Sequence, residues 1–208
     1  MACYHPQAAT QLANGQYSWK PGAQGELISV ACGQCIGCRV DRQQEWAVRC
    51  THESKMHAEN CFVTLTYNEE SMPYGGSLSK ADVQKFMKRL RKAISPQKVR
   101  YFIAGEYGTN TLRPHYHALL FGYDPKDKYK WRNNKGNVLY RSESVENIWS
   151  KGHVEIGELN YTTASYCAQY VIKKISGTPA EDHYARWMNG REIQVEPEFG
   201  MMSRSEER

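Results

Sequence analysis

The 208-residue sequence lacks several features that would assign it to a protein class at once. It has no run of about 18 apolar residues, so a membrane-spanning helix is excluded and we expect no membrane partner. The segment from Met1 to Pro6 lacks the basic and then apolar pattern of a secretory signal, which predicts an intracellular protein. The sequence has seven cysteines, and an odd number argues against a disulfide scaffold.

The net charge of +5 is small because two basic segments are partly offset by an acidic one. Residues 80–100 carry eight basic side chains and one acid, and residues 126–141 carry six and one, whereas residues 181–208 have a net charge of −3. Two basic segments on either side of the central histidines favour a polyanion partner over an ordinary solvated surface. The predicted DNA contacts are Lys85, Lys88, Arg89, Lys92 and Arg113.

Hydrophobic periodicity predicts an α+β fold with a central, mostly antiparallel sheet and helices on its faces. Runs rich in β-branched and aromatic residues predict strands at 61–67, 99–106, 115–122 and 152–156. Helices are predicted at 39–57, at 80–94 with Ser79 as N-cap, at 144–150, and from Asn160 or Thr162 to about Ile175. Residues 1–30 are predicted to be irregular, and residues 123–142 to form a polar excursion.

Two histidines, His115 and His117, alternate along one predicted strand. Because alternate side chains of a strand point to the same side, both imidazoles would project together. Glu106 lies on the preceding predicted strand, and a hairpin would bring its carboxylate beside them. Such a site can hold Mg²⁺ or Mn²⁺ and polarise a phosphodiester. The alternative is a pair of polar histidines at a strand edge and an ordinary solvated carboxylate.

The last predicted helix carries two tyrosines and a lysine, Tyr166, Tyr170 and Lys173, which recur at helical spacing. They are predicted to lie opposite the apolar stripe of that helix, which consists of Ala164, Cys167, Ala168, Val171, Ile172 and Ile175. A tyrosine oxygen is a competent nucleophile when a metal polarises its target and a cation lowers its pKa. The alternative is that both rings pack under a neighbouring element.

Three segments resemble, in order along the chain, the three motifs of the HUH endonucleases, the initiators of rolling-circle replication. They are Phe62-Val-Thr-Leu-Thr-Tyr67, Arg113-Pro-His-Tyr-His117 and Tyr166-Cys-Ala-Gln-Tyr170-Val-Ile-Lys173. Three further segments are similar to the initiators of small single-stranded DNA bacteriophages, the gokushovirus-type Microviridae: residues 1–6, 32–39 and 105–108. The likeness extends over roughly residues 1–203.

This resemblance implies an HUH fold in which Glu106, His115 and His117 hold the metal. It also implies that Tyr166 and Tyr170 are paired nucleophiles, with Lys173 assisting near the phosphate. The implied function is to nick single-stranded origin DNA, leaving a 5′-phosphotyrosine link and a free 3′-hydroxyl, and later to rejoin ends. The implied partners are the phage origin, a host helicase and a host polymerase in the host bacterial cytoplasm.

The lysine three residues after Tyr170 matches the single-tyrosine form of the motif, which favours Tyr170 as the first nucleophile. The resemblance also divides the chain into three parts. Residues 1–60 would form a cysteine-rich segment and helix packed on the core, and residues 61–180 the nicking core. Residues 181–208 would form a C-terminal tail, truncated because members of the family usually continue further.

Three of the cysteines form the pattern Cys32-x₂-Cys35-x₂-Cys38, and Cys3 can supply a fourth thiolate for a structural Zn²⁺. An iron–sulfur cluster and reduced thiols without metal are the alternatives. Less regularly spaced ligands are also present, namely Cys50, His52, His57 and Cys61. Cys167 lies in the apolar stripe of the last helix and is predicted to be a core residue.

Other functions are less well supported by the residues. A histidine-triad nucleotide hydrolase needs a third alternating histidine, but Leu119 occupies that position. A non-enzymatic single-stranded DNA-binding module would explain the charge while leaving Glu106, His115 and His117 unused. A transposase-like strand transferase of the same superfamily would share the cleavage chemistry.

Overall fold

The computed structural model describes residues 3–134, 136–173 and 179–203, except for the side chains of residues 171–173 and 179. These residues divide into two compact units, Met1–Glu45 and Trp46–Arg208. The first boundary therefore falls near residue 45 rather than near residue 60. No helix in the described ranges is both long enough and apolar enough to span a membrane.

The first unit contains a small antiparallel sheet in the order β2-β1-β3. Its strands are β1 (Gln7–Gln11), β2 (Tyr17–Ser18) and β3 (Glu26–Val30), followed by the start of helix α1 (Ile36–Lys55). The prediction that residues 1–30 are irregular is therefore wrong. The strands pair through their backbones while most of their side chains stay outside any core, so the sequence shows no apolar alternation.

The second unit is built on a seven-stranded sheet in the order β12-β5-β6-β4-β9-β8-β7, and every neighbouring pair is antiparallel. This confirms the predicted α+β fold. Its strands are β4 (Asn60–Tyr67), β5 (Arg100–Tyr107), β6 (Pro114–Phe121), β7 (Tyr129–Asn134), β8 (Asn137–Arg141), β9 (Gly152–Gly157) and β12 (Phe199–Met202). The other elements are α2 (Lys80–Ala93), α3 (Glu143–Trp149), α4 (Tyr161–Lys173), α5 (Pro179–His183), and a separate hairpin of β10 (Ala185–Met188) and β11 (Arg191–Gln194).

Helix α2 begins as its sequence predicts. The Ser79 hydroxyl accepts a hydrogen bond from the backbone N–H of Asp82, which satisfies one of the free donors of the first turn. The predicted apolar stripe is buried against the sheet, and its members are Val83, Phe86, Met87 and Leu90. The basic side chains of this helix are consequently on its exposed side.

The two faces of the sheet have different partners, as strand β4 shows. Val63, Leu65 and Tyr67 face the larger core, which also contains the stripe of α2 and Trp149 of α3. Phe62 faces the opposite side, in a second core with residues of α4 and the end of α1. Thr64 and Thr66 share the face of Phe62, because alternate residues of a strand point the same way.

Two segments predicted to be irregular complete the sheet. The excursion at 123–142 contains the hairpin β7–β8, whose strands are mostly exposed and therefore lack an apolar signal. The predicted tail supplies β12, which pairs with β5 from Phe199 opposite Gly105 to Met202 opposite Phe102. A Cβ atom on Gly105 would lie 2.9 Å from the Phe199 ring, so a glycine is required here for space.

Candidate active site

The hairpin of β5 and β6 places the predicted metal ligands on one face of the sheet. Glu106 lies directly opposite His115, and Ala104 lies opposite His117. Since paired residues of antiparallel strands share a face, the carboxylate and both imidazoles lie on the same side. Strand β4 continues this surface, with Thr64 opposite His117 and Thr66 opposite His115.

His117 is held at both of its ring nitrogens. Its Nε2 atom lies 2.7 Å from Oε1 of Glu106, and its Nδ1 atom lies 3.1 Å from the hydroxyl of Thr64. The side chain is almost completely buried. Reasoning from the sequence misses Thr64. The signal that could have found it is a polar residue in register with a candidate histidine inside an apolar strand.

His115 is oriented by the backbone. Its Nδ1 atom lies 2.6 Å from the carbonyl oxygen of Arg113, and a carbonyl can only accept, so Nδ1 carries the proton. Burial lowers the pKa of His115, so the ring is neutral near pH 7 and Nε2 keeps its lone pair. This is the form in which imidazole binds a metal.

Helix α4 packs both predicted nucleophiles against His117. The ring of Tyr170 stacks on the imidazole with 5.2 Å between centroids, and the ring of Tyr166 meets its edge at 5.1 Å. The two phenol rings are 5.0 Å apart in a T-shaped arrangement. The hydroxyl of Tyr170 is also hydrogen-bonded to Tyr166 and Glu106. The carboxylate, the imidazole and both phenols thus form one connected group.

The two tyrosines differ in access to solvent. Tyr166 is 41% exposed, whereas Tyr170 is 5% exposed and belongs to the second core with Ala164 and Cys167. The prediction that both rings lie opposite the apolar stripe is therefore wrong for Tyr170, which lies at the margin of the stripe. Cys167 is a buried core residue, as predicted, and the side chain of Lys173 lies outside the described residues.

Both phenols are weak acids in this environment. Burial raises the pKa of Tyr166 and of Tyr170, and the nearby Glu106 carboxylate raises both further. A cation beside Glu106 would oppose the second effect, because it would neutralise the carboxylate and attract the phenolate. The arrangement therefore favours the neutral phenols unless positive charge is added.

The chemistry of the donors fits a divalent metal ion. Two neutral imidazoles and one carboxylate are ligands that Mn²⁺ accepts readily and Mg²⁺ accepts less readily. Glu106 and His117 are already in contact, and Thr64 and the Arg113 carbonyl fix the ring orientations in the way that outer-shell partners of metal sites do. His115 is the third donor, from the position opposite Glu106.

The predicted DNA contacts lie in two different places. Lys85, Lys88 and Lys92 are exposed on α2, which packs on the sheet face opposite the histidines. Arg89 is on the same helix and donates to the carbonyl of Trp149 at the end of α3. Arg113 precedes His115 and is bonded to the Tyr67 carbonyl and the Glu69 carboxylate. Helix α2 thus presents its charge on the side of the sheet away from the tyrosines.

The hairpin β7–β8 brings other basic residues to the face of the tyrosines. Arg132 is paired with Glu155, and Arg141 lies over the half-exposed ring of Trp131 at 4.9 Å. A cavity of about 680 Å³ opens between this hairpin, the end of β9 and the start of α4, and both His117 and Tyr166 line it. Its polar lining includes Asn137, Glu155, Glu158, Asn160 and Thr162. The turn residues Asn133 and Gly136 between two aromatic segments are the available signal for this hairpin.

The cysteine pattern also converges. The sulfur atoms of Cys3, Cys32, Cys35 and Cys38 all lie within 4.8 Å of one another, so this cluster could bind a metal. It is the one group of three or more such side chains this close together in the described part of the chain. The alternative ligands are not assembled: Cys50 and Cys61 are buried in different cores, and His57 is bonded to Glu53.

Comparison with known proteins gives a consistent family. A family model described as a replication-associated protein of the ORF2 type matches residues 60–175. Replication-associated protein VP4 of Bdellovibrio phage phiMH2K is 37% identical over 195 residues, covering 88% of this chain and 61% of the relative. Replication-associated protein ORF2 of Spiroplasma virus 4 is 34% identical over 197 residues, covering 84% and 62%. Replication-associated protein ORF4 of Chlamydia phage 1 is 32% identical over 152 residues, covering 69% and 38%.

The chain spans about three fifths of the length of the first two relatives. No solved structure is significantly similar to it. The matched residues 60–175 make up more than half of the chain and contain Glu106, both histidines and both tyrosines. The chain therefore belongs to the ORF2-type family of replication-associated proteins, whose matched members are from bacteriophages.

Proposed function

We propose that this protein initiates phage replication by nicking single-stranded DNA through a tyrosine nucleophile. The observation that carries the proposal is the connected group of Glu106, His117, Tyr166 and Tyr170 on one sheet face. It combines candidate metal ligands with two phenols, and structural packing alone does not call for a largely buried carboxylate in this position. The family match to replication-associated proteins supports DNA as the substrate.

In the proposed reaction the phenolate oxygen of a tyrosine attacks the phosphorus of a phosphodiester. The new bond joins the tyrosine to the 5′ phosphate, the bond to the 3′ oxygen breaks, and the leaving oxygen takes up a proton to become a 3′-hydroxyl. A Mg²⁺ or Mn²⁺ ion held by Glu106, His115 and His117 would polarise the phosphate oxygens. The chain itself supplies the alignment of the nucleophile, which is the larger part of the acceleration in phosphoryl transfer.

Exposure favours Tyr166 as the first nucleophile, in contrast to the spacing of Lys173, which favours Tyr170. Tyr166 lines the open cavity beside His117, where a phosphate can reach it. Tyr170 is buried and bonded to Glu106, so it suits the second transfer, in which the strand is already covalently attached. The free 3′-hydroxyl left by the first transfer would then be available to a host polymerase.

The direct test is to incubate the 208-residue chain with single-stranded phage-origin DNA and Mn²⁺ and to separate the products on a denaturing gel. We expect a covalent protein–DNA adduct and a shortened DNA with a free 3′ end, both lost in the presence of a chelator. Tight binding without adduct across several metals and origin sequences would instead identify a single-stranded DNA-binding module. Joining of the attached strand to an unrelated acceptor would favour a transposase-like transferase.

The DNA strand at the nick is expected to follow the β7–β8 hairpin and not helix α2, because the hairpin shares a face with the tyrosines and the helix does not. The double substitution Lys130→Ala and Arg132→Ala should weaken binding of a short oligonucleotide about tenfold and lower its salt dependence by one or two phosphate contacts. The matched triple substitution Lys85→Ala, Lys88→Ala and Lys92→Ala should leave that binding nearly unchanged. Fluorescence anisotropy at several salt concentrations measures both, and the reverse ranking would place the strand on α2.

A further inference from the structure

The first unit of the chain has very little to hold it together. Within the described residues 3–45, the buried apolar side chains are Ala9 and Cys38. Large apolar residues of this unit are exposed, with Leu27 76% exposed and Trp19 59% exposed. A unit of this size without a hydrophobic core needs a disulfide or a metal to fold.

The four thiols of this unit have the spacing of a mononuclear metal site. The sulfur atoms of Cys3 and Cys35 are 3.8 Å apart, and those of Cys32 and Cys38 are 4.0 Å apart. A tetrahedral zinc site with bonds of about 2.3 Å has sulfur–sulfur edges of about 3.8 Å. These separations are too long for disulfides, in which the sulfur atoms are about 2.05 Å apart. They are also short for an iron–sulfur cluster, which places several atoms between its thiolates.

The backbone around the thiols is arranged to stabilise negative sulfur. The N–H groups of Cys32, Cys35 and Tyr4 donate to the sulfur atoms of Cys3, Cys32 and Cys35, at 3.3, 3.3 and 3.4 Å. The turn that aims the Cys35 N–H at Cys32 contains Gly33 in the left-handed region, at φ +73°. A glycine adopts that conformation at little cost, so this turn is built into the sequence.

We propose that Cys3, Cys32, Cys35 and Cys38 bind one structural Zn²⁺ and that this ion holds residues 3–45 in their fold. Four thiolates complete a tetrahedral shell and leave no open position for a substrate, so the ion is structural. Sulfur donors also select zinc over the Mg²⁺ or Mn²⁺ suited to the imidazole and carboxylate site. Through Cys3 the ion ties the first described residue to the start of α1.

The test needs no DNA, so its outcome is independent of the proposed nicking activity. The full chain, expressed with zinc in the medium, should retain one zinc ion per chain by elemental analysis. X-ray absorption at the zinc edge should show four sulfur neighbours at about 2.3 Å. Replacement by Co²⁺ should give the intense sulfur-to-cobalt absorption and the ligand-field bands of tetrahedral geometry. Oxygen or nitrogen neighbours, iron in place of zinc, or no metal would each overturn the proposal.

Two variants separate the site from the rest of the chain. Cys35→Ser should reduce the zinc content severalfold and expose residues 3–45 to limited proteolysis, while the second unit stays resistant. Gln34→Ala changes the residue between Cys32 and Cys35 without removing a sulfur, and it should keep a full zinc content. Full zinc retention by Cys35→Ser would overturn the proposed ligand set. If Cys35→Ser proves insoluble, the absorption spectrum of the cobalt-loaded natural chain decides the question.

Discussion

Replacing Tyr166 with phenylalanine should reduce formation of the covalent protein–DNA adduct by about 100-fold or more, because the variant lacks the oxygen that attacks phosphorus. The ring itself is retained, so its contacts with His117 and Phe62 should persist. The effect should therefore appear in the chemical step and not in DNA affinity. Denaturing gels measure the adduct, and anisotropy under non-cleaving conditions measures the affinity.

Tyr170→Phe is the matched control, one helical turn away on the same helix. Its first cleavage should stay within about tenfold of the natural chain, while transfer of the attached strand to a second end should be lost. The double variant should form no adduct at all. A normal first cleavage in Tyr166→Phe together with none in Tyr170→Phe would reverse the proposed order. An adduct that persists in the double variant would exclude both tyrosines.

Replacing Glu106 with glutamine should lower metal-dependent adduct formation by about 100-fold. The substitution keeps the size of the side chain and removes its charge, so a divalent ion would lose its anionic ligand. An opposite outcome has a clear physical meaning. Glu106 raises the pKa of both phenols, so if it had no role with a metal, removing its charge would ease their ionisation and raise the activity. The direction of the change therefore distinguishes the two roles.

A smaller effect of the same kind is expected at Thr64. Thr64→Val removes the hydroxyl that contacts Nδ1 of His117, and it should raise the metal concentration needed for half-maximal cleavage about tenfold. High Mn²⁺ should restore the rate. Thr66→Val lies on the same strand and face, two residues away, and it should leave that metal concentration unchanged. An equal shift in both variants would point to a general change in the strand.

The sequence predicts the central hairpin well because its signals are local. The spacing of His115 and His117 and the distance to Glu106 define a strand pair and a face, and the register confirms that face. Helix α2 is equally clear, since its stripe and its Ser79 cap agree. What the sequence cannot supply is the side of the sheet on which each helix packs. That choice depends on how the chain crosses the sheet, so the basic residues of α2 are predicted near the site and lie on the other face.

The remaining features that the sequence misses have weak local patterns. The strands of the first unit and of the β7–β8 hairpin are mostly exposed, so no alternation of apolar residues marks them. Helical spacing does not reveal how wide the buried surface of a helix is, so it places Tyr170 on the wrong side of the margin. The contact of Thr64 with His117 joins residues far apart in the sequence and arises from the pairing of β4 with β6.

Strand β12 has a further consequence for how copies of the protein behave near each other. An uncovered outer strand presents free N–H and C=O groups on which another chain can add a strand, which is a common origin of aggregation. Here Phe199–Met202 bond to β5 over Phe102–Gly105, directly before Glu106, and the Phe199 ring fills the space above Gly105. The strand that carries Glu106 is therefore capped over this stretch, and intermolecular strand addition beside the candidate active site is blocked by the protein's own chain.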